Sequence, residues 1–159
     1  MTNAANGASE RLRTALVDAR TTDFLTKAVP PTMARHLTPA RLASLVLGAA
    51  SRTPKLLECT PSSIVKCVAY FATMGLEPGD GPLAEGYLVP FRNRRQGISE
   101  AQPIVGYRGL MALGRRAGVE SIAAHIVYEN DEFALDLLHP DNSKHTPALR
   151  GERGKPIGA

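Results

Sequence analysis

Residues 103–118, PIVGYRGLMALGRRAG, change their periodicity midway, and that change decides the fold. Pro103 to Val105 continue an apolar strand, Gly106 breaks it, and Arg108 to Ala117 take up a helical repeat. Along that repeat Leu110, Leu113, Gly114 and Ala117 fall at i, i+3, i+4 and i+7, the stripe that a helix turns toward a core. At about 100° per residue, Arg108, Arg115 and Arg116 then lie together on the opposite side. Gly118 is expected in the left-handed region just past the last turn, and Arg115 and Arg116 also suit the negative end of the helix dipole. Two readings of these arginines stay open: charges that cap the helix, or a surface for an anion.

Working outward, the stretch from Arg92 to Arg116 holds six arginines, Arg92, Arg94, Arg95, Arg108, Arg115 and Arg116, against one acid, Glu100. Guanidinium forks suit bidentate phosphate contact and stacking on rings. Tyr87, Phe91, Tyr107 and Tyr128 lie in or beside this stretch, so a basic groove interleaved with rings is available, as single-stranded nucleic acid requires. The plainer role for such rings is to fill a sheet core.

The whole chain has 159 residues, 43% of them hydrophobic, and a formal net charge of +4. That suits one globular domain, with a mild preference for an anionic partner. Neither an apolar run of membrane length nor a basic-then-apolar leader is visible, so a cytoplasmic location is expected. Cys59 and Cys67 are expected as buried free thiols, and His36, His125, His139 and His145 lack metal-ligand spacing. No phosphate-cradling or dinucleotide glycine motif occurs, so no cofactor is expected and ATP is not implied.

Residues 1–36 read as an N-terminal arm, partly disordered, with short helices near Ser9–Arg20 and Asp23–Ala28 that stop at Pro30-Pro31. Such an arm suits contact with a neighbouring copy. Residues 37–159 read as the core. Thr38-Pro39 opens a helix that runs to Arg52, with Leu42, Leu45, Val46 and Ala49 inward and Arg41 and Arg52 on a solvated face. Thr60-Pro61 opens another, with Ile64, Val68, Phe71 and Ala72 inward and Lys66 opposite, closed by Gly75. EPGDG, residues 77–81, is a turn. Tyr87, Val89 and Phe91 alternate along a strand that Pro90 confines to an edge or an end; an arginine-rich tip follows, and the chain returns through Ala101–Gly106. A second hairpin is expected from Ile122–Tyr128 and Phe133–Leu137 across a turn at ENDE. The fold class is therefore α+β, with N-terminal helices packed on an antiparallel sheet of two hairpins and a helix between them (β-β-α-β-β).

Glu129, Asp131 and Glu132 are the carboxylates a nuclease would use, but residues of one turn rarely converge on two metal ions, and turn chemistry accounts for them. No histidine is placed near either cysteine by a recognisable motif, so nucleophilic catalysis has no support.

GLEPG at residues 75–79, EGYLVPF at 85–91, PIVGYRGLMALGRRAG at 103–118 and VYENDEF at 127–133 stand in an order and spacing that resemble the RecT family of phage single-strand annealing proteins. The resemblance runs from about Thr38 to about Pro156 and takes in His145 to Pro147 and Arg150-Gly151. It implies an ATP-independent recombinase of phage or prophage type that coats single-stranded DNA as a ring or helical filament and anneals it without bond chemistry. The implied partners are single-stranded DNA, the annealed duplex, further copies of the chain and a phage exonuclease. On that reading Arg92, Arg94, Arg95, Arg108, Arg115 and Arg116 neutralise phosphates, Lys66 adds a backbone contact, and Tyr107 offers a stacking platform. Family members continue past Arg150-Gly151, so a C-terminally truncated member is expected, with a sheet edge left to invite aggregation. Two other classes remain: a metal-dependent nuclease acting through Glu129 or Asp131, and a basic module that meets an acidic protein.

Overall fold

The computed structural model describes residues 2–158, which fall into two compact units dividing after Glu120. The first unit is a layer of four helices, α1 (Thr2–Val17), α2 (Ala19–Ala28), α3 (Pro39–Arg52) and α4 (Pro61–Met74). Against it lies a sheet of β1 (Pro78–Gly79), β2 (Gly86–Asn93) and β3 (Ile98–Val105), followed by α5 (Tyr107–Arg116). A 3-10 helix, Pro54–Glu58, joins α3 to α4.

The helix starts follow from capping chemistry. Thr38 and Thr60 accept the N–H of Arg41 (3.2 Å) and Ser63 (3.4 Å), and each is followed by a proline that has no N–H to leave orphaned. Asp18 separates α1 from α2 without Gly or Pro: its carboxylate accepts from the N–H of Arg20 and Thr21. Gly75, at φ 64°, closes α4. Leu12 and Leu16 of α1 and Leu25 of α2 join Leu42, Val46, Ile64, Val68 and Phe71 in one buried cluster. Residues 1–36 thus supply core side chains from Leu12 onward; Met1 lies outside the described residues.

The hairpin pairs Gly86 with Val105 through Asn93 with Ile98. Its inner face, Gly86, Leu88 and Ala101, is buried. Helix α4 comes so close that a Cβ at Gly86 would lie 2.1 Å from Phe71. The free edge of β3 is closed by side chains of α4. Ser63 Oγ accepts the Ala101 N–H (2.9 Å), Cys67 Sγ donates to the Ala101 carbonyl (3.2 Å), and the Thr60 N–H donates to the Ser99 carbonyl (3.0 Å). Ala101 thereby turns its polar groups away from Pro90, its partner across the ladder, which has no N–H to offer. Burial in this seam pushes the Cys67 thiol up to about 11, so it serves as a donor and not as a nucleophile.

Helix α5 docks with a face rotated from the expected one. Gly109 is buried and Ala112 and Leu113 pack on the core, while Leu110 is 59% exposed. Close approach explains the choice, because a Cβ at Gly109 would stand 2.2 Å from the Glu85 carbonyl. The inward row 109, 112, 113 continues to Arg116, whose guanidinium donates to the carbonyls of Met74 (2.6 Å) and Gly75 (2.7 Å) at the end of α4. Gly118, at φ 90°, takes the expected left-handed position. Arg41 and Arg52 hold the EPGDG turn through the carboxylates of Glu77 (2.7 Å) and Asp80, in place of an unpaired solvated face. The Arg52 hydrogen bonds depress the Asp80 carboxyl below its usual range.

In the second unit β4 (Val127–Tyr128) pairs with β7 (Pro156–Gly158), and β5 (Glu132–Ala134) pairs with β6 (Lys144–Thr146), both antiparallel. The α+β class stands, but the second hairpin does not form as expected: residues 122–128 and 133–137 each pair elsewhere or not at all. The cause is Asp131. Its carboxylate accepts from the N–H of Tyr128 (3.1 Å) and Ala148 (2.9 Å), from Arg153 and from His145 Nε2 (3.0 Å), drawing three downstream stretches onto one turn. The side chain is 0% exposed, covered by its own donors and not by depth of protein. Arg153, then His145 and the two backbone N–H groups, hold the carboxyl far below its usual range.

Three outcomes follow for stability. Ser63→Ala orphans a buried N–H on β3 and should lower the unfolding free energy by about 1–3 kcal/mol, seen as a lower urea midpoint at unchanged slope. An unchanged midpoint would show that the seam is dispensable. Arg116→Ala should cost about 1 kcal/mol by uncapping α4, measured the same way. Because the Asp131 carboxyl is depressed on folding, its stabilisation is complete above the unfolded value near 4 and is lost as pH falls through and below it toward the folded value. Amide NMR signals of Tyr128 and Ala148 should report that loss, and Asp131→Asn should abolish its pH dependence.

Candidate nucleic-acid interface

At the far end of the hairpin, Arg94 to Gly97 form a four-residue turn between Asn93 and Ile98. Gly97 takes φ 68° and the Asn93 side chain accepts the Gln96 N–H (3.3 Å), so the turn geometry is set by residues other than the arginines. Arg92, Arg94 and Arg95 are exposed. With Phe91 and Asn93 they line a hollow of about 490 Å³.

The other basic group stands at the opposite end of β3, where α5 begins. Tyr107 is 65% exposed, and the Arg108 guanidinium lies 5.7 Å from its ring centre and donates to its hydroxyl (3.1 Å). Tyr107, Arg108 and Arg115 line a hollow of about 240 Å³ with Leu83, Glu85, Met111 and Ala112. Arg116 instead caps α4, so it does not line this hollow with Arg108 and Arg115. Arg92, Arg94, Arg95, Arg108 and Arg115 have no carboxylate within ion-pair distance among the described residues, unlike Arg41, Arg52 and Arg153.

The two groups are separated by an eight-residue strand, or about 23 Å at ~3.3 Å per residue. Between them runs the outer face of the hairpin. Tyr87, Val89 and Phe91 face outward opposite Ile104, Gln102 and Glu100, and Phe91 (54%) and Ile104 (51%) are half open to solvent. These residues were the sequence's candidates for a sheet core, yet the buried set is the alternate one.

Lys66 is exposed on α4 beside Glu100 and Gln102, in a groove of about 260 Å³, apart from both arginine groups. Arg11 of α1 was missed by the sequence reading. It joins Arg92 in a cleft of about 440 Å³ lined also by Cys59, Thr60 and Ser99. No periodicity links residues so distant in the chain.

The acidic turn offers little to a metal ion. Asp131 is saturated by its donors, and Glu129 accepts the Lys155 N–H (3.1 Å). No helix among the described residues is long and apolar enough to cross a membrane.

The RecT family profile matches residues 40–159. Protein RecT of Escherichia coli (strain K12) is 34% identical over 116 residues, which cover 71% of this chain. The chain spans 43% of the length of that relative. No solved structure matches this chain. With a family match over residues 40–159 and 34% identity over 116 residues, the protein belongs to the RecT family.

Proposed function

We propose that the chain binds single-stranded DNA and anneals complementary strands without ATP, as a recombination protein of phage or prophage type. The observation that carries this reading is the set of five exposed arginines, without carboxylate partners among the described residues, at the two ends of the β2–β3 hairpin. Arg92, Arg94, Arg95, Arg108 and Arg115 neutralise phosphates, which lowers the repulsion between two strands brought side by side. Such contacts do not read base edges, so sequence is tolerated. Lys66 adds a peripheral backbone contact, and Tyr107, with one side engaged by Arg108, offers the other to a base. Arg116 belongs to the scaffold. The chain acts by holding strands and makes or breaks no bond. Further copies in a ring or filament and a phage exonuclease complete the proposed set of partners, in a cytoplasmic setting.

The test is annealing of two complementary fluorescent oligonucleotides without ATP across a salt series, with noncomplementary controls. Acceleration that fades with salt is the expected result. Replacing Arg94, Arg95, Arg108 or Arg115 by Ala should weaken binding alike for all sequences and reduce the salt slope by about 0.7 per lost contact. Arg116→Ala should leave the slope unchanged. Binding that ignores salt and all four substitutions would refute the assignment.

A further inference from the structure

Granting single-strand binding as proposed above, the geometry points to the outer face of the β2–β3 hairpin as a stacking platform. Unpaired bases lie against Phe91, Tyr87 and Ile104 while the phosphates are held at its two ends. Side chains alternate across a strand, and here the inner set is closed by α4, while of the outer set Val89, Phe91, Gln102 and Ile104 are exposed and Tyr87 and Glu100 half-buried. Tyr87 sits opposite Ile104, Val89 opposite Gln102 and Phe91 opposite Glu100, so one ladder presents adjacent apolar side chains, with Val89 38% exposed. An uncovered apolar strip of this kind marks a binding surface.

Charge selects the occupant. Both ends of the strip carry unpaired arginines, which suits a polyanion and opposes a second copy of the same surface, whose basic ends would meet like charge. Phe91 and the arginines Arg94 and Arg95 line one hollow, placing a ring beside the guanidiniums that would hold the flanking phosphates. The middle of the strip, Val89 opposite Gln102, carries no charge, which leaves that place to neutral bases, while Glu100 lies nearer the tip, held by Asn93 Nδ2 at 2.9 Å. Stacking uses the flat faces of the bases, which are common to all four, and leaves their pairing edges free for a complementary strand. The strip from Tyr87 to Phe91 spans four residue steps, about 13 Å at ~3.3 Å each, and matches about four steps of a strand at the ~3.4 Å rise of duplex DNA.

The deciding measurement is equilibrium binding of the full chain and of Phe91→Ala to a labelled oligothymidylate and to an abasic oligonucleotide with the same number of phosphates. The intact protein should prefer the base-bearing strand by about tenfold. Phe91→Ala should remove most of that preference while leaving the abasic affinity unchanged, and Phe91→Tyr should restore it. Equal affinity of the intact protein for both strands would overturn the platform and leave single-strand binding standing, whereas binding to neither would refute single-strand binding itself. A Phe91→Ala protein that keeps its base preference but loses self-association in sedimentation would also overturn the platform, by making the face a contact between copies.

Discussion

The closure of the β3 edge by α4 is the constraint on which the first unit depends. A two-stranded hairpin with an open edge is marginal in water and prone to pair with other chains. Here the polar groups at Ser99 and Ala101 are taken by Thr60, Ser63 and Cys67, all within two turns of one helix. The same helix buries Phe71 against Gly86, so its position along the sheet is fixed by shape as well as by hydrogen bonds. A proline inside β2 is tolerated because its partner residue looks the other way.

Helix α5 is then positioned by contacts of a different kind. The absence of a side chain at Gly109 lets it settle on the Glu85 carbonyl, and Arg116 ties its last turn to the end of α4. Both basic groups are therefore attached to a scaffold whose backbone hydrogen bonds are closed on several sides. On the proposed reading, fixed spacing between the two sets of guanidiniums limits the ordering that binding a flexible polyanion must supply.

Much of this was legible in the sequence wherever the cause was local. The Thr-Pro starts, the glycine stops at Gly75 and Gly118, the first hairpin and the helix after it come from residues within a few positions of one another. The facing of α5 was not legible, because the decisive contact is between Gly109 and a carbonyl 24 positions earlier in the chain (109 minus 85). Alternation identified the two faces of β2 but not which of them α4 would cover. The second hairpin was misread for a similar reason: alternation in residues 122–128 names a strand and no partner, and Asp131 chose partners 14, 17 and 22 residues away. Arg116 illustrates the limit for function, since a basic residue that caps a neighbouring helix and one that awaits an anion look alike in a string of letters.

The turn that carries Arg94 and Arg95 lies beyond the last paired residues, and its conformation is set by Asn93 and Gly97. Its length and charge can accordingly drift among descendants, or be rebuilt in the laboratory, without disturbing the register below it. The turn is thereby an adjustable part: the number of guanidiniums at one end can change while the fold is inherited intact.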